Sequence, residues 1–406
     1  MPQEDNLSLK RRMTKMTNKL MFRGALTALA GVLLGTVSFS FLAAQEANVA
    51  VYAGMKGAAK LRIVQTNGAG DTVSIIDPAT NKVVAEVKGV EATHGATVAM
   101  DGSRIYVTEE YQKALTVIDG KTLQVTKRVP LSGVPNLVQV TPDGRRLYVS
   151  ITQTWDDLSS FPEIKANPSG GIDVIDAASL EKVKTIALKG GIHDMYISPD
   201  GKYVIAGAAR GAKPAANLLN VIDTGTNEIA WTLSMSPSPS PMVMSKKPNG
   251  STDKIYAQNG RDNGFAVIDF DTHVVTSVIK FPDIPAAQQN PFGPPSPSHG
   301  IGITSDQKIL VANSRQNTAL YKYSLPDLKL LGTAPLGGKG AEWLTITPDD
   351  KTVYVANAHT NDVSVVDIAS MKEIARIPVG FAPARNTTWI AHRPAQEPNR
   401  RSPNNL

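Results

Sequence analysis

Cysteine is absent from all 406 residues. The chain therefore has no disulfide, no thiolate metal site and no Cys-x-x-Cys-His attachment for a covalent c-type haem, and its fold must stand on packing alone. Aromatics are scarce at 6% and charged residues modest at 19%, whereas Gly (32) and Pro (27) are plentiful. That balance argues against long helices, which draw on Ala, Leu, Glu and Lys, and suits many short strands joined by tight turns. No Gly-rich loop leads from a strand into a helix to cradle phosphate, and no Gly-x-Ser-x-Gly elbow occurs. Gly68-x-Gly70 and Gly337-Gly338-x-Gly340 read as turn glycines, and the Ser/Pro alternation at 236–241 as an extended lead into a strand.

Excess charge is also missing from the body of the chain. The formal net charge is +6, but residues 1–44 hold six basic side chains (Lys10, Arg11, Arg12, Lys15, Lys19, Arg23) and two acidic ones (Glu4, Asp5). Without them the 42 basic and 36 acidic residues become 36 and 34, a net of +2. A nucleic-acid partner is not expected on that charge. The basic stretch precedes an apolar run, Gly24–Leu42, and then small residues ending at Ala44. This is the pattern of an export signal over 1–44, cleaved after Ala44 or, as a second option, after Val51-Tyr52-Ala53. The rival is an uncleaved anchor, since the run is long enough to span a bilayer. Arg11-Arg12 hints at twin-arginine export, and Met13 or Met16 is an alternative start. The expected location is periplasmic or secreted, with membrane contact only through an uncleaved N-terminal segment.

What the chain does have is a repeat. An alternating apolar strand ending in hydrophobic-Asp recurs with its aspartate at Asp77, Asp119, Asp176, Asp223, Asp269 and Asp367, at spacings of 42, 57, 47, 46 and 98. The last gap is twice 49, and a degenerate copy, Ala319–Ser324, fills it, making seven. Each copy adds a Tyr/Val strand before it (Ile105-Tyr106-Val107, Leu147-Tyr148-Val149, Val353-Tyr354-Val355), one strand after it, and a fourth ending in a turn such as Thr141-Pro142-Asp143-Gly144. Four antiparallel strands per 40–50-residue unit make a propeller blade, so the fold expected is all-β: a seven-bladed β-propeller over 61–391. A linker (45–60) and a disordered tail (392–406) flank it. The first copy lacks an innermost strand and the last has one to spare, Asn386–Ala391. Placing that C-terminal strand in the first blade closes the ring and covers its open edges.

Tyr354-Val355-Ala356-Asn357, Asn361–Asp367 and Ile377-Pro378-Val379-Gly380 resemble the consensus of the YVTN-repeat β-propellers of bacterial envelopes. The resemblance spans roughly 61–391 and implies the fold much more strongly than a function. Related propellers include lactonases, a streptogramin lyase, the haem d1 domain of a nitrite reductase, subunits of quinoprotein dehydrogenases, and proteins known only as binders. The lactonases gather acidic and Asn side chains round a divalent cation on the axis, a pattern from which this sequence departs.

Loops leading into the inner strands share one face, here termed the top, with those joining the second and third strands. The inner strands begin at His94-Gly95, Pro135-Asn136, His193-Asp194, Pro239-Ser240, His299-Gly300, Glu342-Trp343 and Arg385-Asn386. Three of the six histidines thus fall at one phase on alternate blades, about 100° apart round a seven-fold channel. His94, His193 and His299, with Glu342, are candidate ligands for a Cu, Zn or Ca ion, or for a haem-like group. The alternatives are acid–base catalysis, and plain structural histidines that bond the backbone of the next blade. Asn136, Asp194, Trp155, Arg210, Arg261, Arg315, Trp343, His359 and Arg385 are candidate ligand-binding residues on the same face, an Arg/Asn rim suiting a carboxylate. Two long insertions map there as well, Thr152–Gly171 and Phe281–Ser298. Three functions follow: a binding or accessory propeller; an enzyme (lactone hydrolase or lyase, or a copper- or haem-dependent oxidoreductase); or a protein-interaction propeller. The expected partner is a small ligand or an envelope protein, and the chain is expected to be a monomer.

Overall fold

The computed structural model describes residues 59–154, 169–208, 218–235, 239–290 and 296–392. Residues 1–44, read above as an export signal, all but the last two residues of the 45–60 stretch, and the residues beyond His392 lie outside them. So do Trp155 and Arg210, with most of the first long insertion. The described residues form 28 strands in seven four-stranded antiparallel sheets. Each sheet is a blade, and in blades 2–7 the four strands follow one another from the channel outwards. Among the described residues no helix is long and apolar enough to cross a membrane.

The repeated aspartate explains the regularity. Asp119 Oδ1 accepts the backbone N–H groups of Lys121 and Thr122, and Asp176, Asp223 and Asp269 do the same two and three residues on. The turn into the outer strand then ends four residues after the aspartate in a left-handed residue: Asn81, Leu123, Leu180, Asn227, His273 and Met371. Blade 6 has Ser324 at the aspartate's place and still puts Leu328 in that conformation. A side-chain acceptor two residues back stabilises this turn even where the fifth residue is not glycine. The turns that follow the inner strands work similarly: Thr141, Ser198, Thr304 and Thr347 donate their hydroxyls to Asp143, Asp200, Asp306 and Asp349.

Burial is arranged between blades. Seven apolar clusters of the described residues each lie at the junction of two neighbouring blades. The Tyr/Val strands supply much of this packing, and their phenol oxygens reach a turn of the next blade. Tyr148 donates to Asn227 Oδ1 at 2.9 Å, and Tyr354 to Asn81 Oδ1 at 2.7 Å. Since the last cluster joins blade 7 to blade 1, no sheet is left with an unpacked face.

The ring closes as the repeat count requires. The innermost strand of blade 1 is Pro383–His392, antiparallel to Ala59–Asn67, with Ile63 opposite Thr388 and Gln65 opposite Asn386. It is longer at both ends than the Asn386–Ala391 read from the sequence. A bulge at Gln65–Asn67 takes up the extra length.

Candidate functional site

The seven inner strands run side by side round the channel, and a repeated tie fixes them. A buried polar side chain on the second strand of one blade holds the backbone of the next blade's inner strand. Thr66 Oγ1 donates to His94 O at 2.8 Å, Thr108 Oγ1 to Asn136 O at 2.6 Å and Ser150 Oγ to His193 O at 3.2 Å; Asn313 Nδ2 donates to Glu342 O. The strands then lie so close that a side chain will not fit at the residue after His94 or His299. A Cβ on Gly95 would sit 2.5 Å from Asn136 O, and one on Gly300 2.5 Å from Glu342 O. His-Gly is thus a steric pair: glycine allows the approach and histidine turns into the channel.

The inter-blade backbone bonds belong to threonine, serine and asparagine, so the imidazoles are not spent on them. His94 and His193 have ring centres 6.1 Å apart, as do His193 and His299. Trp343 lies among them, 4.8 Å from His94, 6.1 Å from His193 and 4.2 Å from His299, and is almost wholly buried. The indole from blade 7 therefore floors a cup walled by imidazoles from blades 2, 4 and 6. Donor atoms of His193, Asp194 and His299 all lie within 4.8 Å of one another.

Two imidazoles are backed by carboxylates. His193 Nδ1 is 3.2 Å from Asp194 Oδ2 and 3.0 Å from Ser240 Oγ, and that hydroxyl also donates to Asp194 Oδ2. His299 Nδ1 is 3.1 Å from Glu342 Oε2, a close approach without hydrogen-bond geometry. The third, His94, has its Nε2 3.4 Å from Asn136 Nδ2 and 4.0 Å from Glu110 Oε1, while its Nδ1 is buried without a hydrogen-bond partner.

Two arginines complete the arrangement. Arg385, from the closing strand of blade 1, crosses the channel to blade 4. It donates to Asp194 Oδ1 at 3.0 Å and to the Tyr196 hydroxyl at 3.2 Å, with its guanidinium 4.5 Å from the Trp343 ring centre. Arg315 pairs with Glu342 Oε1 and donates through Nε to Ala341 O at 3.2 Å. Both charge pairs are largely shielded from solvent.

Burial and these charges set the protonation states. Burial first, then the charges of His193 and Arg385, lower the His94 pKa to about 3; burial, then Arg315, lowers that of His299 to about 4. Both rings are therefore neutral near pH 7, with a lone pair on one nitrogen. Burial alone would raise the two carboxyls. It is outweighed at Asp194 by His193 and Arg385, which hold the group well below the usual carboxylate range. At Glu342 it is outweighed by Arg315 and His299, which bring the pKa to about 2. Glu110 is raised by burial, and the Tyr196 phenol is pushed up to about 12, also by burial.

Of the residues singled out in the sequence, His94, His193, His299, Glu342, Asn136, Asp194, Trp343, Arg315 and Arg385 come together at the mouth. Arg261 and His359 are exposed on top-face loops of blades 5 and 7. Arg261 follows a turn in which its backbone N–H is held by Asn259 Oδ1. Tyr196, Ser240 and Glu110 also belong to the site and were not singled out. Ser240 shares the strand phase of the histidines, which was a usable signal. Tyr196 and Glu110 carry no local mark.

No family model and no curated protein matches the chain. Solved structures do. Hydrazine synthase from Kuenenia stuttgartiensis superposes with a TM-score of 0.62 at 21% identity, covering 75% of this chain and 92% of that one. The periplasmic gluconolactonase PpgL of Pseudomonas aeruginosa gives 0.62 at 16%, over 82% and 99%. The dihydro-heme d1 dehydrogenase NirN gives 0.55 at 15%, over 80% and 74%. At these identities the likeness is one of fold, shared by proteins of unlike chemistry.

Proposed function

We propose that this chain is an exported propeller of the YVTN type that holds a metal ion at the mouth of its channel, in a binding or accessory role. The observation that carries this is the imidazole cup: three histidines from alternate blades, two of them backed by carboxylates at Nδ1. A carboxylate behind an imidazole fixes the ring and raises its basicity, leaving the other nitrogen for a metal. Two imidazoles on one tetrahedral ion have ring centres roughly 5 Å apart, from metal–nitrogen distances near 2 Å. The 6.1 Å separations then call for a contraction of about 1 Å on binding. The export pattern in residues 1–44 supports an envelope location, as does the periplasmic description of one fold neighbour. A monomer fits a ring whose blades all pack on one another.

A haem-like ligand has less support, because a porphyrin would have to displace Trp343 from its contacts with three imidazoles. A second reading is catalytic. His193 with Asp194 and His299 with Glu342 have the make-up of an oriented general base, and the same mouth would then act on a small substrate.

Metal content of the purified mature protein, measured by mass spectrometry, tests the first reading. About one equivalent of a transition ion is expected. A His94→Ala/His193→Ala/His299→Ala variant retaining as much metal as the parent sinks it. Turnover of a lactone by the parent, abolished in the same variant, would favour the second.

A further inference from the structure

Every carboxylate oxygen of Asp194 and Glu342 already has a partner. Asp194 Oδ1 accepts from Arg385 and Oδ2 from Ser240, with His193 beside it. Glu342 Oε1 takes Arg315, and Oε2 faces His299. Neither arginine swings away freely. Arg315 is tied to Ala341 O and Arg385 is stacked on Trp343, and both are mostly buried. The charges of Asp194 and Glu342 are cancelled by the two guanidiniums, which leaves Glu110, 4.0 Å from His94, as the carboxylate of the site without an arginine.

Ca2+ and Mg2+ bind through oxygen, six or more ligands for Ca2+ and a near-octahedral set for Mg2+, whereas Cu2+ and Zn2+ accept imidazole nitrogen readily. We propose that Arg315 and Arg385 are specificity-determining residues. By occupying Asp194 and Glu342 they leave imidazole nitrogens as the donors, and so make the mouth selective for Cu2+ or Zn2+ over Ca2+ and Mg2+. This rests on the metal-binding reading above and adds the class of ion and the side chains that choose it. The carboxylates act from behind the histidines as positioning groups, and freeing one of them converts it into an oxygen ligand.

The test is titration of the metal-free mature protein with each ion alone, followed by calorimetry and by Trp343 emission with Trp343→Phe as the control. Cu2+ and Zn2+ are expected to bind at least about 100-fold more tightly than Ca2+ or Mg2+. Arg315→Gln releases Glu342 Oε1 and is expected to narrow the gap between Zn2+ and Ca2+ by about tenfold or more, while Arg315→Lys, which keeps the charge, leaves it nearly as it was. A parent protein that binds Ca2+ within tenfold of Zn2+ overturns the inference, as does an Arg315→Gln variant with an unchanged ratio. A parent that binds none of the four ions overturns the metal-binding reading itself, so the two failures are distinguishable. The parent titration decides the matter even if a variant does not fold.

Discussion

Replacing Arg385 with methionine isolates the strut that crosses the channel. Methionine keeps the length of the apolar stem and removes the guanidinium, with its bonds to Asp194 and Tyr196 and its place over Trp343. Asp194, wholly buried, then retains His193 and Ser240 but loses its one guanidinium. Removing one partner of a buried pair costs about 3–5 kcal/mol, because the other charge stays buried and uncompensated. His193 remains beside Asp194 as a partial substitute, so the lower end, about 3 kcal/mol at pH 7, is expected. The pH dependence follows in sign. In the parent Asp194 is held below its unfolded pKa, so its stabilisation is present at neutral pH and lost in acid. In the variant the carboxyl moves up and is neutralised as pH falls, so the gap between the two proteins narrows toward pH 4. The assay is urea unfolding of Arg385→Met, Asp194→Asn and the double variant at pH 7 and pH 4.5. A coupling energy of about 2 kcal/mol or more at pH 7 is expected, with unchanged m-values. A loss under 1 kcal/mol for Arg385→Met, or strictly additive single losses, would refute the view that Arg385 and Asp194 hold the mouth together.

Gly95→Ala places a Cβ against Asn136 O and is expected to cost at least about 1–3 kcal/mol in unfolding free energy, although Ala is ordinarily the better residue. Deleting Pro383–Leu406 removes the inner strand of blade 1, and the cooperative thermal transition followed by circular dichroism should vanish rather than shift. In the metal-free protein, His94 and His299 are neutral when folded but take up protons when unfolded below about pH 6.5. The unfolded state therefore binds more protons, and stability should fall between pH 6.5 and 4 by up to about 1.4 kcal/mol per pH unit for each ring. A flat unfolding free energy across that window would show that the two rings are charged in the folded state. Tyr354→Phe, which drops the bond to Asn81 across the closing junction, should cost about 1 kcal/mol.

The fold was legible because its signals are local and repeated. The aspartate that ends six of the seven third strands also holds the next turn, so the same few residues mark six blades. Blade 6 was harder to see because Ser324 replaces that aspartate, and counting residues between Asp269 and Asp367 supplied what the motif did not. The site was legible where it follows strand phase, which put His94, His193, His299 and Glu342 at one level. It was not legible where side chains meet across the ring. Arg385 and Asp194 are 191 positions apart and touch because the ring brings blades 1 and 4 to opposite walls of a narrow channel. Nor does the sequence distinguish an arginine pointing inward, such as Arg315, from one on an exposed loop, such as Arg261. Both occupy the same connection of neighbouring blades, and only Arg315 finds a buried acid.

The strand that closes the ring also carries Arg385, the side chain that pins Asp194 and covers Trp343. As the chain is synthesised from its N-terminus, all three histidines and their carboxylates are made before this strand. They cannot take up their final arrangement until it docks. The contact between Arg385 and Asp194 therefore joins the last part of the propeller to be made to a blade made well before it.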